Sequence, residues 1–253
     1  MQERAWYLQA TPDQVADRAI LVGDRGRIER IAARLDEAAF VNDDRGLWLV
    51  TGSFDGTRVT AAAFGMGAPL AAVVLHELQS IGVRVFLRLG TAMRLPPGGL
   101  GELLLAEAAI QGEATTSTYV PSGYPAYADY DLQTAIRREL AAAGAGWRAG
   151  LFASYDGFYT QMLALRECDR DAVAARVRAL QRLDVLAIDM ETSAVLAIAR
   201  ALGARAASLC LATVAWQDAE KMEDELRGRG EDRLVDLGLA ALTRFDATDG
   251  GGS

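Results

Sequence analysis

The sequence AILVGDRGR (residues 19–27) is a short apolar run, a glycine-containing turn and the start of a charged segment with helical spacing. This pattern predicts a buried β-strand that leads directly into an α-helix. The backbone N–H groups at the start of that helix and a nearby guanidinium can converge on an anion. Most strand–turn–helix units bind nothing, so the stretch predicts a fold class and not yet a function. It also lacks the GxGxxG spacing of a dinucleotide-binding turn.

The same alternation of β-rich runs and helical patterns continues along most of the chain, which is typical of an α/β domain. The predicted strands are residues 19–23, 47–54, 58–64, 83–89, 102–110, 150–154, 185–188 and 207–214. The predicted helices are residues 27–35, 69–81, 132–143, 170–182, 191–202 and 223–243. With no linker or repeat between them, we expect one domain over residues 1–248 and a disordered tail at 249–253.

Composition excludes several classes of function. The net charge of −8 argues against binding nucleic acid through its phosphates. No apolar run is long enough to span a membrane and the N-terminus lacks a secretion signal, so we expect a cytoplasmic protein without a membrane partner. The single histidine, His76, and the distant Cys168 and Cys210 predict no metal site. The single lysine, Lys221, stands in no phosphate-binding loop motif.

Arg88 lies in the otherwise apolar segment VFLRLGT (residues 85–91), which begins inside the predicted strand 83–89. Because burying an isolated cation is costly, we expect an acidic partner or a ligand beside it. One interpretation is a structural salt bridge. The other places the Arg88 guanidinium and the Thr91 hydroxyl at a strand end, both directed at one oxyanion. Arg45, in NDDRGLW (residues 42–48), is by itself consistent with an exposed loop charge.

Two carboxylates, Asp189 and Glu191, flank Met190 where an apolar strand pattern changes to a helical one. Acidic residues at the start of a helix usually serve as caps or compensate the helix dipole. The functional alternative is a carboxylate that accepts hydrogen bonds from two vicinal sugar hydroxyls, with the methionine packed on the sugar.

Four motifs occur together in this chain: GDxxR (residues 23–27), FGMG (64–67), RLGT (88–91) and DMET (189–192). In this order and at these separations, the chain resembles the nucleoside phosphorylase family that includes hexameric bacterial purine nucleoside phosphorylase and uridine phosphorylase. The resemblance implies a single α/β domain with a mixed, partly barrel-like central sheet flanked by helices. It also implies a homo-oligomer built from dimers, and a hexamer in many members, because each site takes residues from a neighbouring subunit.

The resemblance further implies three subsites, residue by residue. The implied phosphate ligands are Gly23, Arg27, Arg88, Thr91 and, from the neighbouring subunit, Arg45. The implied ribose contacts are Met66, Met190, Glu191 and, from the neighbouring subunit, Tyr7; the implied base contacts are Phe158, Ile188 and Trp216. The candidate catalytic residues are Arg88, Glu191 and Asp218. Three guanidiniums around one phosphate dianion would also be more positive charge than an acidic protein is expected to gather without a ligand.

The chain departs from the family pattern at positions that face the sugar and the base. The first acid of the family's Glu-Met-Glu is the shorter Asp189, and Tyr7 stands where members usually have a histidine. At the end of the predicted strand 207–214, family members have an aspartate or an arginine that contacts the base, and this chain has Val214, Ala215 and Trp216 instead. Asp218 supplies an acid there only if the loop shifts its register. Met162 likewise replaces the glutamine that uridine-type members use.

The expected activity is reversible, phosphate-dependent cleavage of a nucleoside to a free base and (deoxy)ribose 1-phosphate. Such an enzyme is a pentosyltransferase of purine or pyrimidine salvage, and the hairpin segment favours the purine type slightly. Inorganic phosphate is then a co-substrate, and no cofactor is expected. Two alternatives stay open: a nucleosidase that uses water, and a nucleoside- or phosphate-binding homologue that has lost turnover.

Overall fold

A computed structural model describes residues 3–216 and 219–246 of the chain. The strands of this part are β1 Arg18–Val22, β2 Asp36–Asn42, β3 Leu49–Phe54, β4 Thr57–Ala63, β5 Val85–Arg94, β6 Leu103–Gly112, β7 Trp147–Tyr155, β8 Val185–Asp189, β9 Arg205–Ala215 and β10 Glu220–Lys221. The α-helices are α1 Arg25–Ala32, α2 Ala68–Ser80, α3 Tyr130–Ala142, α4 Arg170–Arg182, α5 Thr192–Ala201 and α6 Asp224–Arg244. None of these helices has the length and apolar character needed to cross a bilayer.

One mixed sheet connects the strands in the order β10-β9-β6-β7-β8-β5-β1-β4-β3-β2. A further pairing of β9 with β5 closes five of them, β5, β9, β6, β7 and β8, into a barrel. Residues 85–88 of β5 pair in parallel with β1, whereas Met93 and Arg94 at its other end pair with β8. This arrangement confirms the predicted mixed, partly barrel-like sheet flanked by helices.

The unit at residues 18–32 is the strand–turn–helix that the sequence predicts. All five residues of β1 are buried, because β1 lies between β4 and β5. The side chain of Asp24 caps α1 by accepting a hydrogen bond from the N–H of Gly26 at 3.2 Å. A Cβ at Gly23 would lie 2.7 Å from the carbonyl oxygen of Gly65, so glycine lets the turns after β1 and β4 touch.

Helix α5 fixes the far side of the same region. Eight of its ten residues are buried, because it packs against α2 and against the barrel strands β6, β7 and β9. The residues just before it, at the end of β8, are therefore held in a defined position. Both Asp189 and Glu191 are almost completely buried there.

Two strands were missed by the sequence prediction. Strand β2 is an edge strand, which pairs within the described residues with β3 alone. Its first five residues are exposed, so they lack the alternation of a half-buried strand. Strand β10 has only two residues. Strand β5 also continues five residues beyond its predicted end, because its second half pairs with β9 and β8 as part of the barrel.

Candidate active site

A cavity of about 470 Å³ opens where β5 leaves β1 and turns towards β8. Ligands of α/β proteins commonly bind at such a change of strand partner. The sequence motifs supply most of its wall, and nine predicted site residues line it: Gly23, Arg27, Met66, Arg88, Thr91, Phe158, Ile188, Met190 and Glu191. The structure therefore brings the four motifs together around one space.

Arg88 is buried in this wall and held by two carboxylates. Its Nη2 lies 2.6 Å from Oε2 of Glu191, and its Nη1 lies 3.1 Å from Oδ2 of Asp189. Nη1 also lies 2.8 Å from Sγ of Cys210. Burial alone lowers the pKa of Arg88, but the acidic groups of Cys210, Asp189 and Glu191 outweigh it and raise that pKa further, so the guanidinium is permanently charged.

Gly90 provides the space that the Arg88 guanidinium occupies. A Cβ at position 90 would lie 2.2 Å from Nη1 of Arg88. This guanidinium is pinned by the two ion pairs and cannot move aside at low cost. The glycine of the RLGT motif is therefore a steric requirement of the arginine beside it.

Arg27 is the second buried guanidinium of the cavity. Its Nη1 donates to the carbonyl oxygen of Leu89 at 3.0 Å, and its Nη2 donates to Oε1 of Glu231 at 3.1 Å. Glu231 lies on α6, is itself buried, and was not predicted from the sequence. It is 204 residues from Arg27, and nothing local in the helix pattern indicates the pairing.

Each of these two arginines has one buried nitrogen atom without a hydrogen-bond partner in the described part of the chain. These atoms are Nε of Arg27 and Nε of Arg88. A buried N–H without a partner costs free energy, and such groups are rare unless a ligand or ion completes them. Both arginines belong to the wall of the same cavity, and an anion is the kind of ligand that two guanidiniums would bind there.

The expected surplus of positive charge is not present in a single chain. The charge of Arg27 is balanced by Glu231, and the charge of Arg88 is balanced by Asp189 and Glu191. Within one chain these two arginines therefore carry no surplus charge, and the expected cluster of three guanidiniums, which includes Arg45 of a neighbouring subunit, stays a prediction. The argument for a bound anion therefore rests on the Nε groups of Arg27 and Arg88 that lack partners, and not on the number of positive charges.

Asp189 is occupied entirely by protein groups. Its Oδ1 accepts from the hydroxyl of Ser154 at 2.6 Å, and its carboxylate also accepts from the N–H and the hydroxyl of Thr192. The Ser154 hydroxyl in turn accepts from the N–H of Ser193 at 2.9 Å. Asp189 thus anchors the end of β8 to α5 and to Arg88, and Glu191 is another carboxylate of the cavity lining.

Glu191 joins the two sides of the cavity. One of its oxygens binds Arg88, and the other, Oε1, accepts from the backbone N–H of Gly67 at 2.6 Å. Met66, beside that glycine, is 80% exposed and lines the cavity mouth, and Met190 lines the wall next to Glu191. The Glu191 carboxylate and these two methionines thus line the same cavity.

The remaining end of the cavity is apolar. After β7 a single turn of π-helix, Phe158–Met162, carries both of its terminal side chains into the lining. Ile188 and Val214 line the same region. Single π turns of this kind often occur at functional sites.

A bulge in β9 adds one hydroxyl to this apolar end. Ala92 and Met93 of β5 are adjacent, but they pair with Ala212 and Val214, so Thr213 is the extra residue. A bulge re-aims side chains, and here two consecutive residues, Thr213 and Val214, line the cavity. Thr213 was not among the predicted site residues.

Three predicted site residues in the described part of the chain do not line this cavity. Arg45 and Tyr7 lie together on another surface, with the Arg45 guanidinium 5.5 Å from the Tyr7 ring. Trp216 is half-buried and packs against the apolar cluster that includes Met162 and Ile188. Asp218 lies outside the described residues. The assignment of Arg45 and Tyr7 to a neighbouring subunit stays a prediction.

The profile of the phosphorylase superfamily matches residues 17–242 of the chain, which include all four motifs. The chain belongs to the phosphorylase superfamily. The guanosine phosphorylase of Halorubrum lacusprofundi is 31% identical over 245 residues, which cover 94% of this chain and 97% of that relative. The uridine phosphorylase of Escherichia coli is 27% identical over 241 residues, covering 92% and 93% of the two chains.

The superfamily fold extends over nearly the whole chain. The crystal structure of uridine phosphorylase from Vibrio fischeri ES114 superposes with a TM-score of 0.86 at 26% identity, and the match covers 95% of this chain and 98% of that one. These similarities confirm the predicted family, its fold and an enzyme of the nucleoside phosphorylase class. Guanosine and uridine phosphorylases occur at similar identity, so the relatives do not distinguish the base.

Proposed function

We propose that this superfamily member catalyses reversible phosphorolysis of a nucleoside, giving a free base and (deoxy)ribose 1-phosphate. The observation that carries the proposal is the pair of buried Nε donors, on Arg27 and Arg88, in the wall of one cavity that also contains Thr91 and Glu191. Inorganic phosphate is the anion and the co-substrate. No organic cofactor or metal is needed for this chemistry.

Phosphate binds at the end of the cavity formed by Gly23, Arg27, Arg88 and Thr91. The unused N–H groups and the Thr91 hydroxyl hold the dianion beneath C1′ of the sugar. Holding the nucleophile in place converts a bimolecular attack into a local one, which is worth up to about 7–11 kcal/mol in well-oriented systems. Because the chain's own cations are balanced by carboxylates, the remaining positive charge comes from Arg45 of a second copy.

The sugar lies against Glu191, between Met66 and Met190. The carboxylate accepts hydrogen bonds from the vicinal hydroxyls, and these bonds strengthen as positive charge develops on the sugar ring. The phosphate dianion stabilises the same oxocarbenium character electrostatically. Tyr7 of the second copy reaches the sugar from the other side. A dimer is therefore the smallest competent unit in this proposal, and three dimers form a hexamer.

The base occupies the apolar end, where Phe158 stacks on it and Ile188 packs beside it. Purine nucleosides are the slightly preferred substrates. Met162 supports this preference, because it lines the base end and offers no hydrogen bond to a pyrimidine carbonyl. The guanosine phosphorylase relative supports it as well. Asp218 is the candidate proton donor to the departing base, and the Thr213 hydroxyl is an alternative hydrogen-bond donor among the described lining residues.

The test is base release from inosine, guanosine, adenosine, uridine and thymidine, each with and without phosphate. Phosphorolysis predicts that base release depends on phosphate and that sugar 1-phosphate accumulates in equal amounts. Equal release in both buffers would overturn the proposal in favour of a nucleosidase. Thermal stabilisation by nucleoside plus phosphate without any release would overturn it in favour of a binding protein.

A further inference from the structure

Glu231 holds Arg27 in the cavity wall although it does not line the cavity itself. Its Oε1 accepts from Nη2 of Arg27 at 3.1 Å, and the carbonyl oxygen of Leu89 accepts from Nη1 at 3.0 Å. These two bonds fix the plane of the guanidinium. Nε is the donor that stays without a partner in the described part of the chain.

Glu231 is itself fixed between two helices. It lies on α6 and its side chain is 9% exposed, and its second oxygen is 3.6 Å from Nε of Arg30 on α1. A buried carboxylate is costly unless cations pair with it, and here both pairing cations come from α1. The contact therefore joins α6, α1 and the candidate phosphate subsite in one rigid unit.

The same carboxylate also opposes anion binding. A negative charge within hydrogen-bond distance of Arg27 cancels part of the attraction that this guanidinium exerts on a phosphate dianion. Burial strengthens the effect, because charges in a low-dielectric interior are poorly screened. Geometry and charge at position 231 thus act on phosphate affinity in opposite directions.

We propose that Glu231 is a positioning residue that sets the affinity for phosphate: its hydrogen bond holds Arg27 in the binding orientation, and its charge limits how tightly the dianion is held. This inference rests on the proposed function in taking phosphate as the anion. Glu231 touches no substrate and acts only through Arg27.

The neighbouring residue Asp232 is a matched control. It lies on the same helix and forms ion pairs with Arg30 at 2.9 Å and with Arg34 at 3.0 Å. Its side chain is 43% exposed, and among the described residues it has no direct contact with Arg27, although it shares Arg30 with Glu231. Asp232→Asn removes the same charge one residue away from the proposed position.

The experiment measures the Kd of inorganic phosphate by calorimetry for the full chain and three variants. Glu231→Gln keeps the acceptor for Arg27 and removes the charge, so the Kd for phosphate should fall about fivefold. Glu231→Asp keeps the charge but is one methylene too short to hold Arg27, so the Kd should rise about fivefold. Asp232→Asn should stay within about twofold. In turnover, the KM for phosphate should follow the Kd while the KM for nucleoside stays constant.

A lower Kd for phosphate in Glu231→Gln together with a higher Kd in Glu231→Asp supports the inference, because a merely structural role would weaken phosphate binding in both variants. Weaker binding in both variants, in step with lower thermal stability, would overturn it, and so would unchanged Kd values in both. If phosphate binds with the expected opposite shifts but no nucleoside is cleaved, the role of Glu231 is supported and the proposed function is overturned.

Discussion

The hydroxyl of Ser154 lies 2.6 Å from Oδ1 of Asp189, so a serine of β7 holds the carboxylate that in turn holds Arg88. All three groups are buried. The same hydroxyl accepts from the N–H of Ser193 at the start of α5. One serine therefore aligns a strand end, a helix start and the cation of the candidate phosphate subsite.

Replacing Ser154 with alanine should destabilise the protein. Asp189 loses a buried hydrogen bond to a charged acceptor, which is worth about 1.5–3 kcal/mol, and the N–H of Ser193 loses its partner. Chemical denaturation measures the loss. Ser117→Ala is the control, because that hydroxyl donates to the carbonyl of Ala114 at the surface and its removal should cost under about 0.5 kcal/mol. Equal losses in the two variants would contradict the assignment.

Arg88→Gln should remove phosphate-dependent turnover. Loss of one preorganised donor to a developing or bound anion lowers kcat by about 100- to 1000-fold. The free energy of unfolding should also fall by about 3–5 kcal/mol, because two buried carboxylates lose their cation.

Arg94→Gln separates these two effects of Arg88→Gln. Arg94 is a buried arginine on the same strand whose ion pair to Glu102 lies outside the cavity. The Arg94→Gln substitution should lower the free energy of unfolding and leave the KM for phosphate unchanged. If Arg94→Gln changes the KM for phosphate as much as Arg88→Gln does, the effect of Arg88→Gln is not due to a contact between phosphate and Arg88.

Thr213→Val should change base binding without changing phosphate binding. The substitution keeps the shape of the β-bulge but removes a hydroxyl from the apolar end of the cavity. The KM for nucleoside should rise by about 3- to 10-fold, and Thr213→Ser should restore it. Thr57→Val, on the distant β3–β4 hairpin, should have no effect. A nucleoside KM unaffected by loss of the hydroxyl would assign base recognition to groups other than Thr213.

Mixed oligomers should reveal a shared site. Chains carrying Arg45→Ala and chains carrying Arg88→Gln should each be inactive alone. A heterodimer contains one site with an intact cavity and an intact partner arginine, so random co-assembly should recover about a quarter of wild-type activity. Activity no higher than that of the parent variants would place Arg45 outside the neighbouring site.

Cys210 should resist thiol reagents in the native protein. Burial raises the pKa of the Cys210 thiol, Asp189 adds to the rise, and Arg88 and Ser208 only partly offset it. The thiol therefore stays protonated and inaccessible, whereas Cys168 is exposed. Thiol counting at pH 8 should find one reactive group per native chain and two after denaturation. Two fast thiols in the native state would contradict this.

The same shift predicts a pH dependence of stability. The native state holds the Cys210 proton more tightly than the unfolded state does. The protonated thiol's contribution to the free energy of unfolding is therefore complete below the ordinary thiol pKa of 9.0, and it is lost as the pH rises through the raised pKa of the native state. Urea titrations of the wild type and of Cys210→Ala from pH 7 to pH 10.5 measure it. The difference in stability between them should shrink above about pH 9. A constant difference would show that the thiol does not titrate differently in the two states.

The cavity wall was predictable to the extent that it consists of local motifs. Gly23, Arg27, Arg88 and Glu191 each stand in a strand–turn pattern whose order along the chain is readable, and all of them reach the cavity. Glu231 was not predictable, because its partner is brought to it only by the packing of α6 on α1.

The same distinction holds for the fold. Buried strands such as β1 give continuous apolar runs, whereas the exposed edge strand β2 gives no burial pattern. The bulge at Thr213 depends on the register between β5 and β9, which no single segment of sequence contains.

Gly90 and the arginine two residues before it occupy a single volume, and this has an evolutionary consequence. An alanine that arrives first at position 90 displaces the guanidinium, and an arginine lost first leaves two acidic groups facing each other without a counter-ion. Either single step is costly, so we expect the two positions to change together. A descendant of this chain that binds a different co-substrate must therefore change both in concert, or leave this strand untouched and diversify through the loops around it.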